Sequence, residues 1–128
     1  MQLKELIKLV KTDLNLKFSE RELDNHISIL MEYYLGFTRS QLVIYQTNEV
    51  EQKKVGLILN AIEALKQNKP IDYITQESIF YGRSFFVDES VLIPRSETEE
   101  LVLLVLENEK ETNISMFEIG TGSGCIPI

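Results

Sequence analysis

Three glycines at alternate positions, Gly120, Gly122 and Gly124, close the segment Glu118-Ile119-Gly120-Thr121-Gly122-Ser123-Gly124, which follows the apolar run Ile114-Ser115-Met116-Phe117. An apolar run reads as a strand, and glycine at every second position lets the backbone turn tightly and approach a ligand closely. The pattern predicts a strand, a cofactor-type loop and then the start of a helix. A loop of this kind belongs to a domain of roughly a hundred residues or more. Four residues follow Gly124, so the expectation is a chain that carries only the opening of such a domain.

The 128 residues leave room for about one domain. Hydrophobic residues at 44% and charged residues at 26% fit a water-soluble globular chain rather than a disordered one. The formal charge of −7 argues against non-specific binding to nucleic acid and to anionic membrane surfaces. The start, Met1-Gln2-Leu3-Lys4-Glu5, is charged within five residues and lacks the apolar core of a signal peptide. The longest apolar run, Leu101 to Leu106, is far short of the roughly 18 residues of a membrane span. A single cysteine, Cys125, excludes an internal disulfide and fits a reducing compartment, so a cytoplasmic setting is expected.

The first 68 residues read as helices. Leu3, Leu6, Ile7, Val10 and Leu14 recur at helical spacing. Ser19 and Glu22 form a capping box ahead of Leu23, Ile27, Leu30, Met31 and Tyr34, and Gly36 suits the stop. Thr38 or Ser40 can cap a short helix with Leu42, Val43 and Tyr45. Thr47 or Asn48 can cap a longer one facing inward through Val55, Ile58, Leu59, Ile62 and Leu65, with Glu49 and Glu51 in its first turn. Asn68-Lys69-Pro70 ends it. Four amphipathic helices with short joins make a small bundle.

From Pro70 the texture changes. Ile79-Phe80-Tyr81 and Ser84-Phe85-Phe86-Val87 are β-prone and flank Gly82-Arg83, which predicts a hairpin. Glu97 to Leu106 reads as a helix capped by Thr98 or Ser96. From Leu101 onward it is apolar nearly all round, which implies burial on more than one side. The expected organisation is a helical domain (1–68), a β-hairpin connector (70–90) and the first helix and strand of an α/β domain (91–128).

The chemistry of the loop follows from what it lacks. Its G-x-G-x-G spacing is neither the dinucleotide fingerprint nor a phosphate-gripping loop, and no lysine follows it. Glu118 stands two residues before the first glycine. A carboxylate there repels phosphate but accepts hydrogen bonds from an ammonium group. That combination favours S-adenosylmethionine, which carries an amino acid moiety and a sulfonium. A glycine-rich turn without any ligand is the competing reading. Pro127 is compatible with a first helical turn, where its missing N–H costs nothing.

An ordered set of segments carries a resemblance: Pro70-Ile71-Asp72-Tyr73-Ile74, Glu77, Phe80-Tyr81-Gly82, Val91-Leu92-Ile93-Pro94-Arg95-Ser96-Glu97-Thr98-Glu99, and Glu118 to Gly124 with Cys125-Ile126. Together they resemble the HemK/PrmC family of peptide chain release factor N5-glutamine methyltransferases. Essentially the whole chain is covered, but only about the first half of a family member. The resemblance implies a small helical domain that meets the release factor, joined by a β-hairpin to a Rossmann-like methyltransferase domain. It implies transfer of a methyl group from S-adenosylmethionine to the glutamine amide nitrogen of the Gly-Gly-Gln motif in class I peptide chain release factors. Glu118, Gly120, Thr121, Gly122, Ser123 and Gly124 match the cofactor segment. Arg95 and Glu97, with Thr98 and Glu99, match a segment on the cofactor and substrate side, where Arg95 and Glu97 would have a supporting role. No metal, no direct nucleic-acid contact and no membrane contact are implied.

Departures from the family pattern bear on activity. Glu118 replaces the usual Asp, Ser96 a usual Pro, and Thr75-Gln76 the usual Leu-Gly before Glu77. The family's Asn-Pro-Pro-Tyr, which holds the glutamine amide in line with the methyl group, is absent. Catalytic residues proper are therefore expected to be missing, and the chain alone to be inactive. The alternatives are a non-catalytic helical module that docks on a release factor and an inactive truncated relic.

Other features have plainer readings. His26 has no second ligand for a metal site. Cys125, expected at a helix N-terminus, reads better as a small packing residue than as a reactive thiol. Tyr33, Tyr34, Phe80, Tyr81, Phe85 and Phe86 read as core and hairpin packing rather than a binding surface. Glu97, Glu99 and Glu100 read as a solvated first helical turn, and only the resemblance lifts Arg95 and Glu97 above that. A lone strand at Ile114–Ile119 has no neighbour for its backbone, so residues beyond about 90 are expected to be poorly ordered or to associate with another chain.

Overall fold

The computed structural model describes residues 1–128. The elements follow in the order α1 (Leu3–Leu14), α2 (Glu20–Leu35), α3 (Arg39–Ile44), α4 (Gln52–Lys66), α5 (Ile71–Thr75), β1 (Glu77–Phe80), β2 (Arg83–Phe86) and α6 (Ser96–Asn108). They fall into two compact units, Met1–Thr75 and Gln76–Ile128. A helical bundle and an antiparallel hairpin, both legible in the sequence, are the architecture observed.

In the helical unit the apolar periodicity is cashed into one core. Leu3, Leu6, Val10 and Leu14 of α1 meet Ile27, Leu30 and Met31 of α2 and Ile58, Ile62 and Leu65 of α4, all buried. Burying a side chain of this size is worth roughly 1.5–3 kcal/mol, so these three helices hold the unit. Ser19 caps α2 as expected, with its backbone N–H donating to Glu22 Oε2 at 2.9 Å. Gly36 ends α2 at φ +73°, and its N–H donates to the Glu32 carbonyl at 2.9 Å. A left-handed stop of this kind suits glycine, which has no Cβ to clash.

Several local expectations are corrected. α4 begins at Gln52 after Glu51, not after Thr47 or Asn48. The segment before it serves α1 instead. The Asn48 and Gln46 carbonyls accept the Leu3 and Lys4 N–H groups at 2.9 and 3.0 Å, donors that a helix start otherwise leaves unpaired. Glu49 pairs with the N-terminal ammonium at 2.7 Å rather than lying in the first turn of α4. The sequence reading missed α5, whose Tyr73 and Ile74 N–H groups donate to the Pro70 carbonyl. Pro70 stops one helix and starts the next. Val43 of α3 is 69% exposed, because six residues give that helix a single buried position, Leu42.

In the second unit β1 and β2 pair with Phe80 opposite Arg83, so the turn is Tyr81-Gly82, one residue earlier than Gly82-Arg83. Both turn residues have positive φ, +48° and +73°, as the mirror-image turn that matches strand twist requires. Phe80 and Phe85 are buried and meet edge-on at 6.3 Å, whereas Tyr81 and Phe86 are exposed. Tyr33 is exposed as well, so three of the six aromatics expected to pack do not. α6 is capped by the backbone at Arg95, not by Ser96 or Thr98, and none of its residues is buried. Ile114–Ile119 forms no strand, and no helix follows Gly124. A strand needs a partner ladder, and none of the chain's other segments pairs with this one. No helix is long and apolar enough to cross a membrane.

Candidate functional site

The glycine segment keeps the turn geometry its spacing demands. Gly120, Gly122 and Gly124 have φ of +74°, +57° and +78°. Three left-handed residues within five positions are accessible to glycine at little cost and strained for other residues. The Gly124 N–H donates to the Thr121 carbonyl at 2.9 Å and closes the turn. Around Gly120 a Cβ would meet nothing within 4 Å, so the outer side of the loop is open to a ligand.

Glu118 stands at the foot of this turn. Its Oε2 is buried without a hydrogen-bond partner. A buried carboxylate oxygen is normally paired, and here the natural complement is a donor brought by a ligand. The charge distribution points the same way. The helical unit carries ten basic and ten acidic residues, whereas Gln76–Ile128 carries three basic and ten acidic, which is all of the net charge. A unit with this net negative charge disfavours an anionic ligand such as phosphate and favours a cationic one. Glu118, the three glycines, and the intervening Thr121 and Ser123 thus form one continuous turn segment with an unpaired buried acceptor at its foot.

Arg95 and Glu97 lie at the opening of α6, both exposed. Ser96 Oγ donates to Glu97 Oε2 at 3.3 Å. No hydrogen bond or ion pair joins Arg95 or Glu97 to the glycine loop. Their neighbour Glu99, which sequence reasoning set aside as part of a solvated turn, instead accepts the Tyr81 backbone N–H at 2.7 Å. The positive φ of a non-glycine turn residue is not readable from sequence, and a turn residue followed by glycine was the one available signal. Arg83 Nη1 donates to the Ile128 carbonyl at 3.2 Å, so the hairpin tip also touches the segment behind the loop. Cys125 is half-buried and free, and it sits in a turn rather than at a helix start.

Comparison with known proteins converges on one family. The family model of the PrmC N-terminal domain matches residues 5–75. Among curated proteins, the release factor glutamine methyltransferase of Flavobacterium psychrophilum is 38% identical over 115 residues, covering 87% of this chain and 40% of the relative. That of Chlorobaculum tepidum is 36% identical over 136 residues, covering 96% and 45%. That of Streptococcus pneumoniae is 40% identical over 124 residues, covering 97% and 41%. The chain thus spans about two fifths of the length of the curated relatives it matches.

Proposed function

This chain belongs to the PrmC N-terminal domain family, and from that premise we propose that it is the first part of a release factor glutamine methyltransferase. The activity of the whole protein would be methyl transfer to the glutamine amide nitrogen of the Gly-Gly-Gln motif in class I peptide chain release factors, in the cytoplasm. The observation that carries the reading is the unpartnered buried oxygen of Glu118 beside three left-handed glycines. S-adenosylmethionine, when bound, supplies an electrophilic methyl group on its sulfonium. Glu118 would accept from the donor's ammonium group, and the turn from Gly120 to Gly124 would let backbone pass close to it. Residues 91–128 would open the Rossmann-like domain.

The same residues hold no Asn-Pro-Pro-Tyr, so nothing in them positions a glutamine amide. An amide nitrogen is a weak nucleophile, and alignment with the methyl group is where such an enzyme gains most of its rate. We therefore propose that the 128 residues alone transfer no methyl group. Incubation of this chain with S-adenosylmethionine and a class I release factor should leave the Gly-Gly-Gln glutamine unmethylated by mass spectrometry; a methylated glutamine would overturn the inactive reading.

A second reading is favoured by the closed core of Met1–Thr75. A unit that buries its own apolar faces can act as a docking module for a release factor without catalysis. Pull-down with a class I release factor tests this, and no enrichment over a scrambled control would leave an inactive relic.

A further inference from the structure

We propose that Glu99 is a positioning residue, a carboxylate latch that fixes the first turn of α6 to the tip of the β1–β2 hairpin. Glu99 is half-buried, and its Oε1 accepts the Tyr81 N–H at 2.7 Å across eighteen positions of sequence. Tyr81 and Gly82 are the two central residues of the hairpin turn, both with positive φ. In a turn of this kind the N–H of the first central residue points away from the ladder, and the hairpin itself offers it no acceptor.

The residue at that position makes the external acceptor matter. Asn or Asp tolerates the left-handed conformation through a local hydrogen bond from its own side chain, and Gly has no Cβ to clash. Tyr81 has neither means. A carboxylate from α6 supplies what the turn lacks, in a charge-assisted bond about twice as strong as a neutral one. The neighbouring acids do not share the role. Glu97 accepts from the adjacent Ser96 hydroxyl, and Glu100 is exposed. The latch holds the helical turn from which Arg95 and Glu97 project, so it sets where their side chains stand. That consequence for methyl transfer rests on the methyl-donor reading above, whereas the latch itself does not.

Residue-resolved amide exchange of the 128-residue chain tests the latch without any methyl donor, so its failure is distinct from failure of the donor site. The Tyr81 amide should exchange about tenfold faster in Glu99→Ala. Glu99→Gln keeps an acceptor oxygen of the same reach and should restore most of the protection, while Glu100→Ala should match the parent. Unchanged exchange in Glu99→Ala overturns the latch. Equal loss in the Gln and Ala variants also overturns it, because that outcome marks a pure helix-dipole effect. If Glu99→Ala loses the hairpin ladder altogether, the Tyr81 amide proton shift in Glu99→Gln decides: an upfield move supports the latch, and an identical shift overturns it.

Discussion

The ring of Phe18 meets the imidazole of His26 edge-on, with centroids 4.6 Å apart and planes inclined at 73°. His26 Nδ1 is buried without a partner. Burial lowers the pKa of this imidazole, against weaker opposing pulls from Glu22 and Asp72. A base whose folded pKa lies below its unfolded value of about 6.5 binds fewer protons folded than unfolded. Stability is therefore retained above that value and falls as pH drops through it toward the lower folded pKa. The urea midpoint, followed by helical circular dichroism, should fall between about pH 7.5 and 5.5. His26→Gln should flatten that slope, and an unchanged slope would acquit His26.

The Ser19–Glu22 box makes a prediction of opposite chemical origin. Ser19 Oγ donates to Glu22 Oε2 at 2.6 Å, and the Ser19 backbone N–H donates to the same oxygen at 2.9 Å. These bonds, the hydroxyl first, hold the Glu22 carboxyl below its ordinary value. Ser19→Ala should cost about 1 kcal/mol in urea unfolding at neutral pH. A depressed carboxylate contributes stability above its unfolded pKa and loses it as pH falls through the folded one. The Ser19→Ala gap should therefore narrow in acid, and a gap independent of pH would refute the carboxylate's part in the cap.

Helices α1, α2 and α4 were legible because each writes its burial in its own spacing: Leu3, Leu6, Val10 and Leu14 need no partner to be recognised as one face. The same holds for Ser19 with Glu22 and for Gly36, whose signals are local. What stayed hidden depends on distant chain. The Asn48 carbonyl is taken by Leu3, so a local cap reading placed the start of α4 too early. Ile114–Ile119 has the composition of a strand, but strand formation is a property of pairs, and composition describes one member. In the candidate site, glycine spacing announced the left-handed turns and Glu118, whereas the bond from Tyr81 to Glu99 required knowing which turn the hairpin adopts.

The apolar content of α1 and of α6 should have opposite consequences. Leu6 is fully buried, and Leu103 is 45% exposed. Leu6→Ala removes buried methyl groups and leaves a cavity, at a cost of about 2–5 kcal/mol. Leu103→Ala should change the urea midpoint little and should raise solubility. Comparable destabilisation by both substitutions would mean that α6 is covered in solution.

That possibility leads to the segment after α6. Phe117 and Ile119 are 89% and 87% exposed, and no strand forms around them. Backbone amides without a ladder exchange with water freely, and clustered exposed apolar groups favour association. Amide exchange across Ile114–Ile119 should approach the rate of an unstructured chain at low concentration. At higher concentration it should slow, together with a rise in sedimentation coefficient, as exposed apolar groups on one copy find those of another. Strong protection of these amides in a sedimenting monomer would overturn this account, because it would require a pairing partner within the same 128 residues.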